Sequence, residues 1–64
     1  MKRTEFERYL REHSCYLLRE GGKHSVFHNP REGLTSTVPR HTEIFPSLAK
    51  KICKDLGIPP IQKK

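Results

Sequence analysis

Apolar side chains recur along this chain in two rhythms, and the change of rhythm marks its elements. Near the start, Phe6, Tyr9, Leu10 and His13 fall at i, i+3, i+4 and i+7, one stripe of a helix, with Arg3, Arg8 and Arg11 around the other side. Thr4-Glu5-Phe6-Glu7 has the Thr-x-x-Glu form of a capping box, which predicts a helix beginning at Thr4. Ala49, Ile52, Cys53 and Leu56 repeat the stripe near the end, with Lys50, Lys51 and Lys54 toward water. Ser47 is the predicted N-cap of this second helix, with Pro46 just outside it. Gly57 is its predicted C′ residue, and Pro59-Pro60 bars its continuation.

Between the helices the period drops to two. Cys15–Arg19 reads as a strand stopped by Glu20-Gly21-Gly22, whose glycines tolerate φ > 0 and suit a hairpin hinge. Lys23–His28 reads as a second strand. Asn29-Pro30-Arg31-Glu32-Gly33 supplies turn residues before a third, Leu34–Val38, in which Leu34, Ser36 and Val38 face a core and Thr35 and Thr37 face away. Pro39 lacks an N–H and ends the ladder, and Arg40–Phe45 is a connector. The order predicts an α+β fold, an α-β-β-β-α two-layer sandwich: a three-stranded antiparallel sheet with both helices on one face and the other face open. In the second strand, Val26 as a core contact turns His24 and His28 toward the helices and leaves Phe27 on the open face, where it could stack on a base or a partner side chain. The same strand turned over buries Phe27 instead.

Length and charge narrow the function. Sixty-four residues make one domain, read as 1–58 with a basic C-terminal tail over 59–64, frayed over Ile61-Gln62-Lys63-Lys64. Lys and Arg outnumber Asp and Glu by 13 to 7, a net charge of +6, which favours a polyanionic partner. No long apolar run is present, so neither a membrane span nor a secretory signal is expected. Cys15 and Cys53 sit in apolar patterns, which fits free buried thiols in a reducing, cytoplasmic compartment.

The candidate chemistry centres on His24, a proton carrier suited to neutral pH, placed where a glycine turn enters a strand. His24, His28, His41 and Cys15 lack the paired spacings of a zinc site, so no metal and no cofactor are expected. The cysteines have no basic neighbourhood to activate a thiolate. RNA carries its own nucleophile in the 2′-hydroxyl, so a histidine in a basic surround is enough to cut it. Lys23, Arg19 and Arg40 are the candidate phosphate contacts, by charge and nearness to His24 in sequence. A turn histidine without a role, or an RNA-binding module without turnover, are the alternatives that the residues leave open.

Gly22-Lys23-His24-Ser25-Val26-Phe27, then Thr37-Val38-Pro39-Arg40-His41, then Leu48-Ala49-Lys50-Lys51-Ile52 and Leu56-Gly57 together resemble the HicA toxin family over about Leu10 to Gly57. The resemblance implies a double-stranded-RNA-binding-domain-like fold. It also implies a ribosome-independent endoribonuclease that cuts mRNA and is held inactive by a HicB antitoxin. The family's catalytic histidine falls on His24, and His41 falls in the second motif as a neighbour of the site. Lys23 stands where the family carries a small serine, and Pro46 where it more often carries glycine before the last helix.

Overall fold

Helix α1 (Arg3–Glu12) buries Phe6 and Leu10 and leaves Tyr9 and His13 half-buried, their ring centroids 4.4 Å apart. It belongs to a computed structural model that describes residues 1–61. The capping box does not form. The N-cap is Lys2, in extended conformation and without a side-chain cap. Glu7 instead lies 3.4 Å from Arg3 and 3.7 Å from Arg11, one turn away on either side. The Arg3 N–H, free of any intrahelical partner, donates to the Thr42 carbonyl at 2.8 Å. Residues 1–3 therefore pair with the connector: Lys2 bridges Glu43, and the Ile44 N–H donates to the Met1 carbonyl at 2.8 Å. At the other end of α1, Ser14 takes a left-handed φ of 69° so that the Cys15 N–H reaches the Leu10 carbonyl.

Strands β1 (Tyr16–Glu20), β2 (His24–Asn29) and β3 (Leu34–Pro39) form an antiparallel sheet in that order, with each strand end within one residue of the expected position. Leu18 is an extra residue in β1, a bulge that sets Arg19 opposite Val26 and Glu20 opposite Ser25. Neither Gly21 nor Gly22 uses a left-handed backbone. The need at Gly21 is for space: its N–H donates to the His24 carbonyl at 2.8 Å, and a Cβ there would sit 3.2 Å from that oxygen.

The second strand lies the other way over from the Val26-inward expectation. Ser25, Phe27 and Asn29 face the helices and are buried, and His24, Val26 and His28 lie on the open face. Burying a phenyl ring removes more apolar surface from water than burying a valine. The polar members of the inward row find partners. Asn29 Nδ2 donates to the Leu56 carbonyl at 2.6 Å, its Oδ1 accepts the Arg31 N–H at 3.1 Å, and the Ser25 hydroxyl donates to Glu20 at 3.3 Å.

Helix α2 (Pro46–Leu56) begins with Pro46 inside it at the first turn and Phe45 as N-cap, so Ser47 is not the cap. Proline fits there because its missing N–H would be unpaired anyway and its φ is already helical. Ala49, Ile52, Cys53 and Leu56 are buried as the stripe requires. Gly57 closes the helix at φ 72°, and a Cβ there would meet Leu34 Cδ1 at 3.0 Å and Glu32 Cγ at 3.1 Å. One core joins these helix residues with Phe6, Leu10, Cys15, Phe27, Val38, Ile44 and Ile58. Ile61, the first residue of the expected frayed stretch, packs half-buried against this core, and Tyr9 donates its hydroxyl proton to the Pro59 carbonyl at 2.6 Å. The rest of the expected tail, 62–64, lies outside the described residues. Cys15 and Cys53 are free and buried, and desolvation pushes both thiols up from their ordinary value.

Candidate functional site

One corner of the sheet gathers the chain's candidate chemistry. His24 opens β2 and pairs with Pro39, the last residue of β3, so the glycine turn before His24 and the chain leaving β3 meet at one place. His24 is exposed there on the open face. His41 follows two residues after Pro39 and reaches the same corner because the next segment is fixed. Residues 42–44 are hydrogen-bonded to residues 1–3, and Ile44 is buried in the core.

Two adjoining cavities share both histidines. The smaller, about 280 Å³, is lined by Lys23, His24, Arg40 and His41. The larger, about 590 Å³, continues past His24 and His41 to Thr37, Pro39, Glu43, Phe45 and Leu48. Arg40 lies across the strand ends: Nη1 donates to the Gly21 carbonyl at 3.4 Å, and Nη2 is 4.0 Å from Glu20 Oε2. Glu20 in turn accepts from Ser25, so a buried residue of β2 is linked through Glu20 to Arg40.

Of the residues singled out in the sequence, His24, Lys23, Arg40 and His41 come together. Arg19 lies on the open face opposite Val26 and lines neither cavity. Phe27 is fully buried, which corrects its assignment as a stacking platform. Among the described residues the most exposed large hydrophobic side chain is that of Phe45, at 75%. Periodicity alone misses it. Phe45 stands four residues before Ala49, in register with the Ala49, Ile52, Cys53, Leu56 stripe, and it is exposed because it is the extended N-cap just outside the helix that Pro46 begins.

The remaining open-face histidine belongs elsewhere. His28 is four residues from His24 along a strand, roughly 13 Å at about 3.3 Å per residue, so the two do not share a ligand shell. Its ring contacts Tyr16 edge-on at 5.6 Å, and its Nδ1 is 3.1 Å from the Thr35 hydroxyl. Cys15 is in the core. Among the described residues no three of His, Cys, Asp and Glu gather as a metal site, and no helix is long and apolar enough to cross a membrane.

Residues 3–58 match the family model described as "HicA toxin of bacterial toxin-antitoxin". No curated protein and no solved structure matches the chain.

Proposed function

Because the chain belongs to the HicA toxin family of toxin–antitoxin systems, we propose that it is an endoribonuclease that cuts mRNA in the cytoplasm at the His24 corner of the sheet. The observation that carries this reading is the meeting of two imidazoles and two cations around one pair of adjoining cavities. Cleavage of RNA by its own 2′-hydroxyl needs one group to take a proton, another to give one, and positive charge on the phosphate.

In this reading His24, fixed on a strand, takes the 2′-hydroxyl proton. The 2′-oxygen attacks phosphorus, and the bond to the 5′-oxygen breaks. His41, protonated, gives its proton to that leaving oxygen. The products are a 2′,3′-cyclic phosphate and a 5′-hydroxyl, and each histidine ends in the other's starting protonation state. Lys23 and Arg40 hold the phosphate and offset its developing charge. Arg19, farther across the open face, contacts the strand beyond the scissile bond. Membership of the family implies an antitoxin partner. A HicB-like antitoxin with an acidic surface neutralises this chain by covering the Lys23, His24, Arg40 corner.

The test is a defined RNA incubated with the protein in excess chelator. The reading expects cyclic-phosphate and 5′-hydroxyl ends with a bell-shaped dependence of rate on pH, and loss of one limb of that bell in His41→Ala. Intact RNA, or products with 5′-phosphates, would overturn it. Intact RNA that nevertheless shifts in a gel would mark a binding module instead.

A further inference from the structure

We propose that the larger cavity is a nucleobase subsite in which Phe45 stacks on the base next to the scissile phosphate. The inference rests on the nuclease reading of His24 and adds the part of the substrate that the reading leaves unplaced.

Phe45 is a large apolar ring left 75% exposed on a backbone that is not free to move. Ile44 before it is buried and paired with Met1 in both directions, its N–H donating at 2.8 Å and its carbonyl accepting from the Met1 nitrogen at 3.1 Å. Pro46 after it fixes the first turn of α2, and the Phe45 carbonyl accepts the Ala49 N–H at 2.9 Å. A rigidly displayed aromatic loses little freedom when a flat ligand stacks on it. Pro39 and Leu48 make the cavity apolar, and its volume of about 590 Å³ lies in the range of sites that take small organic ligands.

The charges choose what occupies it. Lys23 and Arg40 line the smaller cavity, Glu43 and Phe45 line the larger one, and the two histidines line both. The Glu43 carboxylate is itself 3.9 Å from the Met1 ammonium, which offsets part of its charge. A phosphate is attracted to the smaller cavity, where the two cations are, and finds no such cation among the residues that line the larger one. A base suits the larger cavity, with its face on Phe45 and an N–H of its edge toward Glu43. A protein side chain fits the place less well. The other exposed large apolar residues, Tyr16, Leu17, Leu18 and Leu34, lie on β1, the far edge strand, or at the start of β3, and do not line this cavity. Phe45 thus stands beside the histidines, apart from the other exposed large apolar residues.

The chain has no tryptophan, so Phe45→Trp supplies a single fluorescent reporter that keeps an aromatic face. The probes are a single-stranded RNA with cleavable bonds, the same oligonucleotide with every 2′-hydroxyl methylated, and inorganic polyphosphate. Phe45→Ala is expected to keep the thermal midpoint and to lose cleavage efficiency by about 5- to 150-fold, the range that removal of one base-stacking aromatic gives. Phe45→Trp should restore most of that loss. Its emission should be quenched by the methylated RNA and not by polyphosphate. Unchanged cleavage in Phe45→Ala, with emission unmoved while labelled RNA is seen to bind, would overturn the subsite and leave the nuclease reading standing. The same pattern with weakened capture of the antitoxin would assign the ring to protein docking, again overturning it. Quenching by methylated RNA in a protein that cuts nothing would support the subsite while removing the nuclease.

Discussion

Val26 and Phe27 are neighbours on one strand, yet they serve surfaces with opposite demands. Phe27, with Ser25 and Asn29, points into a layer from which water is excluded, and every polar atom there has a partner. Val26 is set between Arg19 and Thr37 on a face where His24 and His28 are accessible. The inward row joins the sheet to both helices. The outward row contributes little to that joining, and so its residues are free to carry charge and titratable rings. The difference teaches that the alternation of a strand separates stability from chemistry at a resolution of one residue.

Substitution of the two neighbours is the strongest way to break that comparison. Phe27→Ala is expected to cost about 3–5 kcal/mol, against a total of about 3–10 kcal/mol for a domain of this length. Much of the protein should then be unfolded, and soluble yield and circular dichroism would show it. Val26→Ala should cost under about 1 kcal/mol, because its side chain is only half-buried. Equal losses in urea melts would mean that the two faces are not distinct.

Asn29→Ala is the next largest. It leaves the Leu56 carbonyl without its donor at the buried end of α2 and should cost about 1–3 kcal/mol in urea unfolding. Asn29→Asp should not rescue it, since a carboxylate has no proton to give and meets the negative end of the helix. A melt unchanged from wild type in both variants would show that the strand end and the helix end are held by something else.

A smaller effect sharpens the comparison through pH. Burial raises Cys15 and Cys53 above 9.0 and Tyr9 above 10.0. Neighbouring Cys53 and Glu12 add to the effect at Tyr9, and Cys53 adds to it at Cys15. All three are neutral at lower pH in the folded and unfolded chain alike, so their contribution is fully present below about pH 9. As pH rises further, the unfolded chain loses its protons first, and stability falls. The denaturation midpoint should be level through neutrality on account of these groups and decline above about pH 9. A midpoint that rises there would contradict the burial assigned to them.

Much of this was legible in the sequence, because periodicity reports which side of an element is dry. The two helix stripes, the left-handed Gly57 and the three strands all follow from local pattern. The orientation of β2 did not. His-Ser-Val-Phe-His-Asn offers one apolar residue to each side, and what decides between them is long-range: the fit of Phe27 in the core and the bond from Asn29 to Leu56. The capping box failed for a similar reason, since Glu7 found two arginines and the connector supplied a carbonyl for Arg3. At the site, the grouping of Lys23 and His24 was visible from adjacency. The approach of His41 depends on the pairing of residues 1–3 with 42–44, and Phe45 is displayed by the helix start. Lys23 lines the smaller cavity with both histidines, so the lysine of the turn stands beside the proposed site.

The central claim is that the His24 corner acts on RNA while the buried side of the same strand holds the fold. The most direct test is His24→Ala, with the thermal midpoint and the rate of RNA cleavage measured on one preparation. The account predicts an unchanged midpoint and a rate lower by about 10²–10⁴-fold, the usual worth of a positioned proton-transfer group. Cleavage at the wild-type rate by the folded variant would contradict it.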